Sequence, residues 1–192
     1  LYLIEDAHEV TQYLKERFGK EKIYIMGFSG GSHIALRTAA LYPEDYIAYI
    51  GMAQVVTDST ERDTAMYNYM SDKFAQMGDS RALNTLESYS EHLDDGAVRC
   101  TATWREYVDL LHDAGGGTIL NHTEFQGIIM PIMLCHCYTI PEKINYIRGL
   151  KMYDHSPLND ELTDYDYRTL IPELQIPAYF ISGEEDFNCP WP

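Results

Sequence analysis

The residues with the clearest chemical potential stand together at Gly27-Phe28-Ser29-Gly30-Gly31, a Gly-x-Ser-x-Gly pattern. A β-prone run, Ile23-Tyr24-Ile25-Met26, precedes it, and an Ala- and Leu-rich stretch from Ser32 to Tyr42 follows. A strand that turns at once into a helix holds the middle residue in a strained conformation, and side chains two positions either side would crowd it. Ser29 is thereby lifted above the sheet edge, where a base can take its proton. The start of the helix supplies N–H groups without intrahelical acceptors, so the Gly30 N–H can face a developing oxyanion. Gly27 and Gly31 are the small residues of the turn. The competing reading is a glycine-rich phosphate cradle. It is disfavoured because His33, and no Gly-Lys-Ser/Thr, follows Ser32.

The elements that must hold this turn can be read on either side of it. Leu3, Ala7, Val10 and Leu14 recur at helical spacing from Leu1 to Phe18, and Gly19 suits a left-handed stop. Ile47 to Met52 is a second apolar strand-like run. Helix, strand, tight turn, helix and strand form the α/β grammar of a parallel sheet with crossover helices. From 57 to 175 strand-like runs are scarce. Arg62 to Met77, Leu83 to Leu93 and Trp104 to Asp113 favour helix, and the strand grammar returns at Ile176 to Ser182. The expected organisation is a core over 1–56, a helical insertion over 57–175, and a return to the core over 176–192.

Charge follows the same division. The chain of 192 residues carries a net charge of −16. Residues 1–56 hold five basic and seven acidic groups, residues 57–175 hold nine and 20, and residues 176–192 hold three acidic groups. The acidity therefore sits mainly in the insertion. Phosphate polyanions and anionic membranes would be repelled, so neither nucleic acid nor a membrane surface is an expected partner. No apolar run reaches the roughly 18 residues of a membrane-spanning helix. Four scattered cysteines make no disulfide framework, and Cys135-His136-Cys137 has the wrong spacing for zinc. Reduced cysteines and a cytoplasmic setting are expected, with no metal and no cofactor.

The stretches Leu14-Lys15-Glu16-Arg17-Phe18-Gly19, Lys22 to Ser32, Tyr42-Pro43-Glu44 and Ala48 to Met52 together resemble α/β-hydrolase-fold enzymes, in particular the proline iminopeptidase-like branch. Ile176 to Asp186 is similar to that family's strand and loop bearing the triad acid. The resemblance spans roughly the first 55 and last 20 residues and fades through the middle, which corresponds to the family's variable cap. It implies Ser29 as nucleophile, Gly30 as an oxyanion donor and Asp186 as the acid that orients a catalytic histidine. Glu184 and Glu185 compete with Asp186, whose position after Gly183 favours it. Phe28 departs from the His or Trp common there, which affects the pocket and not the nucleophile.

In that family the histidine follows the acid, and no histidine follows Asp186. The seven histidines are His8, His33, His92, His112, His122, His136 and His155. His155-Ser156-Pro157 superficially resembles the family's terminal histidine motif but precedes the acid. The expectation is a truncated serine hydrolase for N-terminal prolyl or aminoacyl amides or small esters, with little activity alone. The alternative is a non-catalytic binding or assembly module. The expected partners are a small-molecule or peptide substrate, and either a second copy of the chain or complementary fragments to pair the open sheet edges.

Overall fold

A computed structural model of the chain describes residues 2–56, 60–117, 125–153, 166–184, 186–187 and 189. They fall into two compact units, Leu1–Asp58 with Tyr165–Pro192 and Ser59–Asp164.

The first unit is built on a three-stranded parallel sheet. Helix α1 (Tyr2–Phe18) leads through a left-handed Gly19 to β1 (Ile23–Phe28), then α2 (Gly31–Leu41), a 3-10 turn at Pro43–Asp45 and β2 (Tyr46–Met52). After the second unit the chain returns through the short helix α8 (Tyr167–Leu170) to β5 (Ala178–Ile181). The strand order is β1-β2-β5, with every pairing parallel. The fold class is α/β, as the alternation of elements in the sequence predicts. The core joins Ala35, Leu36 and Ala39 of α2 to Tyr46 and Tyr49 of β2 and Tyr167 of α8.

Because side chains alternate across a strand, the register sorts the sheet into two faces. One presents Ile23, Ile25 and Tyr49 to the helices. The other carries Tyr24, Met26 and Phe28 of β1 opposite Ala48, Ile50 and Met52 of β2, with Tyr179 and Ile181 of β5 beyond. Tyr24, Met26, Phe28, Tyr179 and Ile181 remain 51% to 62% exposed. Apolar character on both faces is the signature of a parallel sheet covered twice, and among the described residues the second face stays about half exposed.

Helix α1 is fastened to this core by a polar cluster. Asp45 is buried, accepts a hydrogen bond from Gln12 Nε2 at 2.7 Å and pairs with Lys15 Nζ. His8 Nδ1 lies 3.1 Å from the same carboxylate, and its ring stacks on Tyr42 at 3.7 Å. Burial pushes the Asp45 carboxyl up, but the hydrogen bonds of Lys15 and Gln12 and the nearby positive charge outweigh it. The net shift is downward from 3.8.

The second unit is mainly helical. It contains α3 (Thr60–Met77), α4 (Ser80–Ser88), a hairpin of β3 (Ser90–His92) and β4 (Val98–Cys100), then α5 (Trp104–Asp113), α6 (Met130–Leu134) and α7 (Ile140–Tyr153). Met66, Met70 and Phe74 of α3 and Leu86, Tyr107 and Leu111 are among its buried apolar residues. Side chains of α3 cap the hairpin. Thr64 Oγ1 accepts from Val98 N at 2.8 Å and Asp63 Oδ2 from Cys100 N at 2.9 Å. The expected helix over Leu83 to Leu93 stops at Ser88. The Asp94-Asp95-Gly96 turn, with Gly96 at φ +84°, folds Ser90–His92 back against Val98–Cys100, and Glu91 pairs with Arg99 at 3.2 Å. Among the described residues no helix is long and apolar enough to cross a membrane.

Two consequences can be measured. A carboxyl whose folded pKa is depressed adds stability above its unfolded pKa and loses it as pH falls through the folded value. Urea midpoints followed between about pH 5 and pH 2 should therefore fall, and Asp45→Asn should flatten that acid limb. At the β1–α2 junction, a Cβ on Gly27 would stand 2.5 Å from Ser32 Cα and 2.8 Å from Ala35 Cβ. Gly27→Ala should destabilise the chain by about 2–3 kcal/mol in the same assay, because backbone, not a flexible side chain, must yield.

Candidate active site

The carboxyl edge of the parallel sheet gathers the residues singled out above. β1 ends at Phe28, α2 starts at Gly31, and Ser29 lies between them at φ +49°. A non-glycine residue in the left-handed region carries strain of about 1–3 kcal/mol and persists only where its surroundings impose it. The restraints here are specific. Ser29 N donates to Met52 O at 3.0 Å, extending the β1–β2 ladder by one step. Ser29 O accepts from Ser32 N at 2.8 Å and from Ser32 Oγ at 2.6 Å. The hydroxyl-bearing residue is thus gripped through both of its backbone groups.

The glycines differ in what they do. Gly27 is where strand and helix backbones approach too closely for a side chain. At Gly31 an added Cβ meets nothing within 4 Å, so the expected crowding on that side is absent and glycine there answers to no steric demand. Gly30 has ordinary helical angles, φ −52° and ψ −30°. The N–H groups of Ser32 and His33 close onto Ser29 O and Gly30 O. Those of Gly30 and Gly31 stand ahead of the first closed turn, at the positive end of the α2 dipole.

Ala53 is the second non-glycine residue at positive φ among those described, at +48°. It sits beside Ser29, because Phe28 pairs with Met52. Its N–H donates to Ile181 O at 2.8 Å, the corresponding step of the β2–β5 ladder. Two adjacent parallel strands therefore end in left-handed residues at one edge. Behind them, Gly51 leaves the space used by a buried pair. A Cβ there would stand 2.6 Å from Gln54 Oε1 and 3.0 Å from Tyr49 Oη, and Tyr49 donates to that Gln54 oxygen. Burial raises the Tyr49 phenol far above its ordinary value, so it stays protonated and donates. No residue type marks Ala53 or this pair in the sequence.

Asp186 lies in the loop after β5, at the same carboxyl edge, with β2 between it and Ser29. Its N–H donates to Gly183 O at 3.2 Å and its Oδ1 accepts from Cys189 N at 3.2 Å. It is half-buried, whereas Glu184 is exposed; Glu185 lies outside the described residues. The sheet thus brings Ser29 and Asp186 to one edge without direct contact.

Three of the five described histidines are engaged with other partners. His8 stacks on Tyr42, His33 Nδ1 shares a 3.0 Å hydrogen bond with Tyr167 Oη, and His92 meets Glu87 at 2.9 Å. His112 is buried at the end of α5, against Gly117, and His136 is exposed. His122 and His155 lie outside the described residues. Among the described residues, no three His, Cys, Asp or Glu side chains gather as a metal site would require.

No family model matches the chain. Among curated proteins it is similar to the probable aminopeptidase YbaC of Bacillus subtilis (strain 168), 25% identical over 189 residues. That alignment covers 98% of this chain and 58% of the relative, so the chain spans somewhat more than half of the relative's length. Among solved structures it is similar to E-2-(acetamidomethylene)succinate hydrolase, at a TM-score of 0.31 and 14% identity over 96% of this chain and 65% of that one. A marine microorganism esterase is similar at a TM-score of 0.26 and 16% identity, over 94% of this chain and 67% of that one. The chain itself is an α/β fold whose parallel sheet presents a strained serine at its carboxyl edge.

Proposed function

We propose that the chain belongs to a serine hydrolase of the α/β-hydrolase type, with Ser29 as nucleophile, the Gly30 N–H as an oxyanion donor and Asp186 as the triad acid. The observation that carries this reading is Ser29 at φ +49° in a Gly-x-Ser-x-Gly turn between a parallel strand and a helix. The similarity to a probable aminopeptidase supports the hydrolase class. In the proposed reaction Ser29 Oγ attacks the substrate carbonyl carbon, and its proton passes to a histidine base. The carbonyl electrons collect on an oxygen facing the Gly30 N–H. The C–N or C–O bond then breaks as the base returns the proton to the leaving group. Water repeats the sequence on the acyl-serine.

The two loops flank β2, so they lie about two strand spacings, roughly 10 Å, apart at the sheet edge. An imidazole between them would link nucleophile to acid. The base in this proposal is a histidine outside the described residues, as the family's order of serine, acid and histidine implies. The substrates we infer are N-terminal aminoacyl or prolyl amides, with small esters served by the same nucleophile. The net charge of −11 over 57–175 suits a substrate bearing a free amino terminus.

A second reading, an assembly module, is favoured by one observation, the uncovered apolar sheet face. Five side chains of roughly 200 Å² each, half exposed, present about 500–600 Å². A stable interface needs about 800 Å² from each partner, so a second copy of the chain seated on this face would form a weak dimer.

A fluorophosphonate probe and light scattering separate the readings. In the whole protein the probe is expected on Ser29, and Ser29→Ala should abolish labelling and lower kcat/KM for proline naphthylamide by on the order of 10³-fold or more. A preference for the amide over p-nitrophenyl acetate supports the aminopeptidase assignment, and the reverse supports an esterase. Absence of labelling together with a dimer that Met26→Lys dissolves would favour the assembly module.

A further inference from the structure

The chain leaves the first unit after Asp58 and re-enters it at Tyr165. The described residues on either side of that excursion are both bonded to the first turn of α2, the turn that Ser29 heads. On the outgoing side, Val55 N donates to Ser32 Oγ at 3.1 Å. Gln54 Nε2 donates to Val55 O at 2.7 Å, so both backbone groups of Val55 are held by side chains. On the returning side, Tyr167 Oη bonds His33 Nδ1 at 3.0 Å and also takes a hydrogen bond from Arg37. Arg37 only donates, so the phenol oxygen is the acceptor of that bond. The two sides also meet directly, through Tyr167 N donating to Val56 O at 3.0 Å.

Ser32 is the centre of this arrangement. It is fully buried, and its hydroxyl uses both capacities, donating to Ser29 O at 2.6 Å and accepting from Val55 N. A hydroxyl is the smallest side-chain group that does both. The strained backbone of Ser29 and the segment leading to the second unit therefore share one atom. His33, the next residue, is likewise buried and joins the returning segment to the same helical turn.

We propose that Ser32 is a positioning residue for Ser29, and that Ser32 and His33 together clamp the outgoing segment at Val55 and the returning segment at Tyr167 to the nucleophile's helix. Its kinetic consequence rests on the hydrolase reading above; its structural content does not. Under this proposal a displacement of either segment is felt at the Ser29 backbone through a single hydroxyl or imidazole.

The test combines amide hydrogen exchange with the rate of fluorophosphonate labelling at Ser29, on the whole protein. Ser32→Ala is expected to speed exchange at the Val55 amide and to slow labelling, each by about tenfold or more, the factor that loss of a buried donor's partner gives. Ser32→Thr, which keeps the hydroxyl, should restore both. Tyr167→Phe keeps the buried ring, removes the hydroxyl and should slow labelling without touching the Ser29 turn. This second variant decides the matter if Ser32→Ala does not fold. The proposal is overturned if Ser32→Ala folds and leaves Val55 exchange and the labelling rate unchanged, or if Ser32→Thr fails to rescue. If the wild-type protein is not labelled at Ser29, the hydrolase reading fails, while Val55 exchange in Ser32→Ala still decides whether the clamp exists.

Discussion

The carboxyl edge of this sheet depends on how closely α2 lies against the end of β1. With no side chain at Gly27, strand and helix backbones approach to distances that a Cβ would forbid. Two residues, Ser29 and Gly30, are then too few for a relaxed connection, and Ser29 reverses the chain at φ +49°. Its hydroxyl is presented at the sheet edge as a result of that reversal. The chemistry proposed for Ser29 is thus set by a backbone contact two residues earlier, which is why glycine matters at 27 and not at 31.

Strain of this kind is tolerated only where other interactions over-determine the backbone. The parallel ladder provides part of the restraint. Ser29 N and Ala53 N each bond a carbonyl on the next strand, Met52 O and Ile181 O. Left-handed turns at both positions therefore do not end the hydrogen bonding but continue it one residue further. Ser32 provides the rest, since its N–H and hydroxyl both donate to Ser29 O. Removing the strain would orphan several buried groups at once, so the turn is stable although its central residue is not relaxed.

Periodicity and turn residues made the first unit's sheet readable. Near-continuous apolar runs at Ile23 to Met26 and Ile47 to Met52 marked two strands, and Gly-x-Ser-x-Gly marked the turn between β1 and α2. Thr103 followed three residues later by Glu106 is a capping box, and α5 begins at Trp104 as that pattern dictates. The β3–β4 hairpin was harder, because Leu83 to Leu93 reads as helix over its length while Asp94-Asp95-Gly96 decides its last residues. Ala53, Ser32 and Tyr167 were not legible at all. Alanine has no left-handed preference, and a serine near a helix start reads as a cap. Nothing local tells Tyr167, 134 positions beyond His33, that it will return to bond it.

The position of β2 carries a further consequence. Strand order β1-β2-β5 puts the Ser29 and Asp186 loops on opposite sides of one strand end. Whatever spans the gap between them must therefore pass over Ala53. That residue is buried, small and left-handed, so its backbone turns away while its methyl group fills little space. A bulky β-branched residue there would meet two penalties, the positive φ and occupation of the room between the loops. The small residue at 53 and the glycine at 27 thus serve one end. The glycine lets the helix close on the strand, the alanine adds little bulk at the end of β2, and a serine and an aspartate from distant parts of the sequence stand at the same edge of the sheet.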